Sequence, residues 1–357
     1  MALPRTMKAV RFFEYGEPSV LKYMDFPMPE VGKNDVLIKV GATSINRFDL
    51  KMRRGQIPQI PGRDPFPMPF QPGRDVAGEV AAVGDKVTRF KAGDRVVGMA
   101  HPACGQCEYC RRDLDYLCIN TKLPGHQTPG GYAEYVARPE TDVLLAPGGV
   151  PYEKLASCLW SYACVWNVVS RRGNLRPGQS VLITGASGGL GTAAVQLSRL
   201  VGASKIIATT GSPAKAERLK ELGFDHVINY RDADAAARVR SLTSGTGVDL
   251  VIDLVGGEMF VLGLNCLRMN GTIVNVAGEE ATNSIPMRWL TVMLLHRYVT
   301  IVGVRAAKRI DNETVLQFLG EGRIDPIIDR VMPLSEAAKA HEILEKQEQI
   351  GKIVLVP

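Results

Sequence analysis

Along residues 7–100 the apolar positions come in short β-rich runs, MKAVRFF, DVLIKVGAT, VAGEVAAVG and DRVVGMA, separated by Gly, Pro and Asp. Glycine-marked turns at this density predict a small barrel-like β fold. Between the runs, INRFDLKMRRG predicts a short helix. GQIPQIPGRDPFPMPFQPGRD predicts a loop, because so many prolines cannot sit in mid-sheet. GGYAEYVARPETDVLLAPGGV returns to strands and ends in a Pro/Gly linker at 147–151. From there the rhythm changes. YEKLASCLWSYACVWNVVSRR reads as helix, and VLITGASGGLGT (181–192) reads as a strand, a glycine-rich turn and the start of AAVQLSRLVGAS, a further helix. Strand 206–210, helix 213–222 stopped by Gly223, strand HVINY and a helix to Leu242 follow. Next come strand 248–256, a helix to Leu267, a turn at Asn270-Gly271 and strand TIVNVAG. Strands separated by helices of this length predict a parallel doubly wound sheet. A last strand, YVTIVGV (298–304), hands the chain back to the first region, which is completed by a helix at 312–319, PLSEAAKAHEILEKQ and the strand GKIVLVP.

A chain of 357 residues exceeds what one core usually holds, so the two rhythms predict two domains. The excess of basic over acidic residues is only +6 and is spread along the chain, which argues against a nucleic-acid partner. MALPRTMKAV carries no apolar signal segment, and no run of about eighteen apolar residues occurs, so a cytoplasmic protein is expected.

Two motifs carry chemistry. In Ala186-Ser187-Gly188-Gly189-Leu190-Gly191, a strand passes through a turn into a helix, gathering free N–H groups and the positive end of the helix dipole. That arrangement suits a pyrophosphate, although Ala186 stands where the G-x-G-x-x-G pattern has its first glycine. The second motif is Cys104-x2-Cys107-x2-Cys110-x7-Cys118. Four thiolates this close can surround a tetrahedral Zn²⁺ and leave no position open, so the expected metal is one structural zinc per chain. The other reading is four reduced or redox-active thiols.

The whole chain resembles the medium-chain dehydrogenase/reductase superfamily. The cysteine lobe resembles its structural zinc lobe, while VLITGASGGLGTAAVQLSRLVGA, GFDHVINY and GKIVLVP resemble its quinone oxidoreductase branch. The resemblance implies a GroES-like β-rich catalytic domain (1–156 and 305–357, zinc lobe at about 101–120) and a Rossmann nucleotide-binding domain (157–304). It also implies a homodimer or homotetramer. Zinc alcohol dehydrogenases of the family carry a cysteine where this chain has Asn46, a GHE motif where it has Gly73-Arg74-Asp75, and a later cysteine best matched by Trp160, with Cys158 out of register. A catalytic zinc needs about three protein ligands, which these residues do not provide.

The function implied is NADPH-dependent hydride transfer to a quinone or an α,β-unsaturated carbonyl. Asn46, and beside it Arg47 or Arg53, are candidate donors to the oxygen that gains charge. The alternative reading of Asn46 is a turn or helix cap, and of the arginines a surface or ion-pair role. Some alkene-reducing relatives place a tyrosine two residues after the glycine matching Gly55; here that residue is Ile57. The second strand of the nucleotide domain ends in Thr209-Thr210-Gly211-Ser212, without the acid that would bond the ribose hydroxyls of NAD. Ser212, Lys215 and Tyr230 match positions that bind the 2′-phosphate in NADPH-dependent relatives; exposed helix surface for Lys215 and strand packing for Tyr230 are the plainer readings. Cys164, near the family's nicotinamide site, reads as packing. Two other readings stay open: an alcohol or polyol dehydrogenase with atypical zinc ligands, and a binding or structural role like that of the zeta-crystallins.

Overall fold

The computed structural model describes residues 3–56, 68–276 and 286–357. Ile57, most of the proline-rich loop and the last two residues of TIVNVAG lie outside them. The chain forms two compact units, residues 1–163 with 307–357, and residues 164–306. No helix among the described residues is long and apolar enough to cross a membrane.

The first unit holds β1 (Thr6–Arg11), β2 (Lys22–Pro27), β3 (Asp35–Ser44), β4 (Val76–Val83), β5 (Arg95–Gly98), β6 (Tyr135–Pro139) and β7 (Val143–Leu145). From the end of the chain it adds β14 (Ile328–Pro333) and β15 (Lys352–Val356). β1 and β2 form an antiparallel pair. The pattern gave no sign of β2 because Phe26 is its one buried residue, so no alternation marks it. The other seven strands make one sheet in the order β14-β15-β3-β4-β5-β7, with β6 also on β3. Val36, Ile38 and Val40 alternate along β3 and pack with Val76, Val80, Val96, Val136 and Val143 on one face of this sheet. β15 runs antiparallel to β3 with Val354 opposite Ser44. Continuing that register two residues past the end of β3 brings Lys352 to Asn46.

The second unit contains β8 (Ser180–Ile183), β9 (Lys205–Thr210), β10 (His226–Asn229), β11 (Val248–Asp253), β12 (Leu267–Asn275) and β13 (Thr300–Gly303). They form a six-stranded sheet in the order β10-β9-β8-β11-β12-β13, and every pairing is parallel. Leu182, Ile207, Ile228, Val251 and Ile273, one from each of five strands, meet in one hydrophobic layer. The strand order reverses between β8 and β11, and ligands of such sheets bind beyond the strand ends at that point. The turn expected at Asn270-Gly271 is instead an irregularity inside β12. Asn270 takes a φ of 60°, and the register on β11 jumps from Leu267 to Thr272. The stretch read as one long helix is also divided, into helix Tyr152–Ala156, π-type turns Leu159–Ala163 and Val168–Arg172, and the short helix Cys164–Asn167.

Candidate active site

Asn46 begins the helix Arg47–Arg53. Its backbone N–H donates to Asp49 Oδ2 at 2.8 Å, so Asp49 caps the helix from its third position. The Asn46 side chain turns the other way. Its amide donates to Asp75 Oδ2 at 2.9 Å, with a long contact to the Ser44 carbonyl at 3.5 Å, and its Oδ1 accepts from Lys352 Nζ at 2.6 Å. Asp75 Oδ2 also accepts from Ser44 Oγ at 2.7 Å and from Lys352 Nζ at 3.5 Å. Asn46 therefore sits at the helix start without capping it through its side chain, and both amide donors are committed inside the fold. Lys352 is the residue that the sequence reading missed; its only signal was a lysine within the otherwise apolar GKIVLVP.

Asp49 and Arg74 complete this buried cluster. Asp49 Oδ1 accepts from the Gly73 N–H at 3.1 Å. Gly73 has a φ of +100°, and a Cβ there would stand 2.8 Å from the Gly131 nitrogen, so only glycine delivers that N–H. Burial pushes the Asp49 carboxyl up to about 6 against the lowering effect of its two N–H donors and of Arg74. Burial lowers the Arg74 guanidinium to about 10, which leaves it charged at neutral pH. Its central carbon lies 3.8 Å from the Phe48 ring centre and 4.8 Å from that of Trp160. The rings answer the charge but not the in-plane N–H groups, and Nε and Nη2 are buried without a hydrogen-bond partner among the described residues. A buried donor left in that state costs about 1–3 kcal/mol.

The three positions compared with zinc ligands in the sequence thus lie in one cluster as an amide, a guanidinium and an indole. A guanidinium has no lone pair to give a metal. Arg53 is elsewhere engaged: fully buried, it pairs with Glu345 and donates to the Gly16 carbonyl. Arg47 is exposed. Cys158 is fully buried, and burial together with the nearby Asp75 charge drives its thiol far above the usual range. Cys164 is buried as well.

In the second unit, β8 runs into the turn and then into the helix Gly189–Val201, with Gly188 at its cap position. The first amides of the helix, those of Gly189, Leu190 and Gly191, have no acceptor one turn back. Ala186 is buried and donates its N–H to the Thr209 carbonyl at 3.1 Å, and Ser187 follows it in the turn. A Cβ on Gly191 would come within 2.5 Å of Ala186 Cα, so the close approach of turn and helix requires glycine. This cradle fits a dinucleotide pyrophosphate. The three candidates Ser212, Lys215 and Tyr230 lie just beyond the ends of β9 and β10. Ser212 Oγ caps the next helix by accepting from the Lys215 N–H at 3.3 Å, and the Tyr230 hydroxyl lies 2.5 Å from where a Gly211 Cβ would stand. The lysine and tyrosine are both half-buried.

The Cys104, Cys107, Cys110 and Cys118 sulfurs all lie within 4.8 Å of one another, the only such group of possible metal ligands among the described residues. A tetrahedral zinc with bonds of about 2.3 Å needs sulfurs about 3.8 Å apart. The Cys104–Cys110 and Cys107–Cys118 separations are 4.0 and 3.9 Å, and Cys107–Cys110 is 3.4 Å. The N–H groups of Cys107 and Cys118's neighbour Cys104 point at sulfur, at 3.3 Å in each case. Hydrogen bonds from the Cys110 and Ile119 amides draw the Cys107 thiol down to about 6. The donor set fits zinc. The lobe is tied back by the Lys308–Asp113 ion pair and by the Arg309 N–H donating to Asp115 at 2.8 Å.

A largely antiparallel β-sheet unit carrying a cysteine lobe, together with a parallel-sheet unit whose glycine-rich turn fits a dinucleotide, is the architecture of a two-unit oxidoreductase. Residues 32–148 match the alcohol dehydrogenase GroES-like domain, and residues 189–321 match the zinc-binding dehydrogenase domain. An NAD-dependent alcohol dehydrogenase of Sulfolobus acidocaldarius is 33% identical over 353 residues, covering 98% of this chain and 99% of that one. An acryloyl-coenzyme A reductase of Sulfurisphaera tokodaii is 28% identical over 94% of this chain and 96% of its own. A crystal structure of a Pseudomonas syringae quinone oxidoreductase superposes with a TM-score of 0.79 at 27% identity, covering 98% of this chain and all of that one. The chain belongs to the medium-chain dehydrogenase/reductase superfamily.

Proposed function

We propose that this oxidoreductase uses NADPH to reduce a quinone or an α,β-unsaturated carbonyl compound without a catalytic metal. The observation that carries this reading is the donor set around Asn46, where Arg74 and Trp160 offer no lone pair to a Lewis acid. A bound Lewis acid promotes hydride loss from a plain alcohol by acidifying its hydroxyl, whereas a conjugated carbonyl accepts a hydride without one. The cradle from Ala186 to Gly191 would hold the pyrophosphate and Ser212, Lys215 and Tyr230 the 2′-phosphate, and the bound reduced nicotinamide supplies a hydride. The acceptor takes that hydride at carbon, its π electrons move onto the carbonyl oxygen, and a proton from water completes the product. Asn46 acts in this reading as a positioning residue that fixes Asp75 and Lys352. The four cysteines hold one structural zinc, and the enzyme works in the cytoplasm as a homodimer or homotetramer.

The relatives named alcohol dehydrogenases and reductases frame the alternative, an alcohol dehydrogenase with a second zinc. Zinc content measured beside turnover separates the two. About one zinc per chain with NADPH oxidised by enones or quinones supports the reductase; about two per chain with alcohol oxidation supports the dehydrogenase.

A further inference from the structure

Among the described residues, Arg74 differs from the other buried arginines in making no hydrogen bond at all, although Arg53 Nη1 and the Nε/Nη2 pair of Arg138 are also buried without a partner. Arg53 donates to the Gly16 carbonyl and to Glu345, and Arg138 donates to the Pro129 carbonyl at 2.6 Å. Arg74 makes no hydrogen bond among the described residues, although its side chain is almost wholly buried. Its two orphaned donors, Nε and Nη2, lie side by side on one edge of the guanidinium, the fork that grips oxygen in the plane of the group. The neighbouring carboxylate oxygens are engaged with other donors except Asp75 Oδ1, which is buried and makes no hydrogen bond to Arg74 or to any other described residue. Asp49 is held by the N–H groups of Asn46 and Gly73, and Asp75 Oδ2 by Ser44, Asn46 and Lys352. Phe48 and Trp160, which stack on the guanidinium, are themselves only half-buried, so the cluster reaches the surface of its unit.

We propose that the Arg74 Nε/Nη2 fork receives the carbonyl oxygen of the substrate, so that a guanidinium does the polarising that a metal does in zinc-dependent relatives. This rests on the quinone/enone reading above and deepens it. Charge decides between a carbonyl and a carboxylate ligand. Arg74 and Lys352 are matched one for one by Asp49 and Asp75, so no surplus positive charge awaits an anion. A neutral carbonyl enters that balance without penalty, and the fork meets the charge only as it develops on oxygen.

The test uses the full-length protein with 2-cyclohexen-1-one and crotonate as probes, and reads binding to the cofactor-free protein by calorimetry. Melting temperature serves as the folding control. In Arg74→Met, cyclohexenone affinity falls about 10- to 150-fold, the loss of one charge-assisted contact. Arg74→Lys keeps the charge and loses the fork, shows a partial fall, and carries the test should the methionine variant not fold. Crotonate binds wild type no better than it binds the variant. Guanidinium ion added to Arg74→Ala restores part of its kcat/KM for cyclohexenone and does nothing for wild type. Unchanged cyclohexenone affinity in a folded variant, or a larger loss for crotonate than for the enone, overturns the assignment. Arg74-dependent binding in a protein that reduces no enone or quinone would support the carbonyl site and sink only the proposed reaction. Turnover indifferent to Arg74 would sink the carbonyl site and leave the reaction standing.

Discussion

Lys352 Nζ lies 2.6 Å from Asn46 Oδ1, across 306 residues of chain. The contact exists because the last strand returns to pair with β3 in the register that sets Val354 opposite Ser44. It makes the C-terminal strand part of the candidate site. Burial lowers the Lys352 ammonium, and Asp75 and Asp49 counter that effect.

Lys352→Met removes the cation and leaves Asp75 buried without it. Breaking a buried pair from one side costs about 3–5 kcal/mol, and denaturant unfolding should read a loss of that order. The double variant Lys352→Met with Asp75→Asn should recover at least about 1 kcal/mol of it. Additive losses would mean that the two side chains are not energetically coupled.

Asp49 gives a pH signature. Its carboxyl is raised by burial from 3.8 to about 6, so between those values the folded state holds a proton that the unfolded state has released. Stability from this group is fully present below about pH 4 and falls as pH rises towards 6. With about 1.4 kcal/mol per pH unit, the total is about 3 kcal/mol. The stability of wild type minus that of Asp49→Asn, followed from pH 4 to 7, should fall by this order and then level off. A flat difference would mean that Asp49 has an ordinary carboxyl.

Cys107→Ser should lower bound zinc from about one per chain towards zero, because a neutral hydroxyl is a poor substitute for thiolate. The short polar lobe cannot order itself by apolar burial, so melting temperature should fall as well. Enzyme that stays folded should keep its KM values, since a four-sulfur shell admits no substrate. Atomic absorption beside steady-state kinetics checks both. A stable, zinc-free variant with lost turnover would make the lobe part of the chemistry.

Lys215→Ala should raise KM for NADPH about 10- to 150-fold and leave that for NADH nearly unchanged, the effect of one lost charge-assisted bond to the 2′-phosphate. Equal losses for the two cofactors would remove that phosphate from the end of β9.

The nucleotide unit was legible in the sequence because parallel strands buried on both faces write continuous apolar runs, as VDLVIDLVG does. The cysteine spacing was equally plain, being a local ligand set. β2 was not, since it buries one residue, and the Asn270-Gly271 pair looks like a turn although β12 absorbs it as an irregularity. The candidate site was read in part. Asn46 and the Arg74 substitution stood out beside the family pattern, but their partners depend on register between distant strands. No local pattern says that Lys352 meets Asn46, or that the Arg74 fork lacks an acceptor.

The central claim is hydride transfer to a conjugated carbonyl without a catalytic metal. Its most direct test follows deuterium from C4-labelled NADPH into product, using enzyme of known zinc content and 2-cyclohexen-1-one as acceptor. The account predicts deuterium on the β-carbon of cyclohexanone at about one zinc per chain, with ethanol failing to reduce NADP⁺. No label in the products of enones or quinones, together with ready ethanol oxidation at about two zinc per chain, would contradict it.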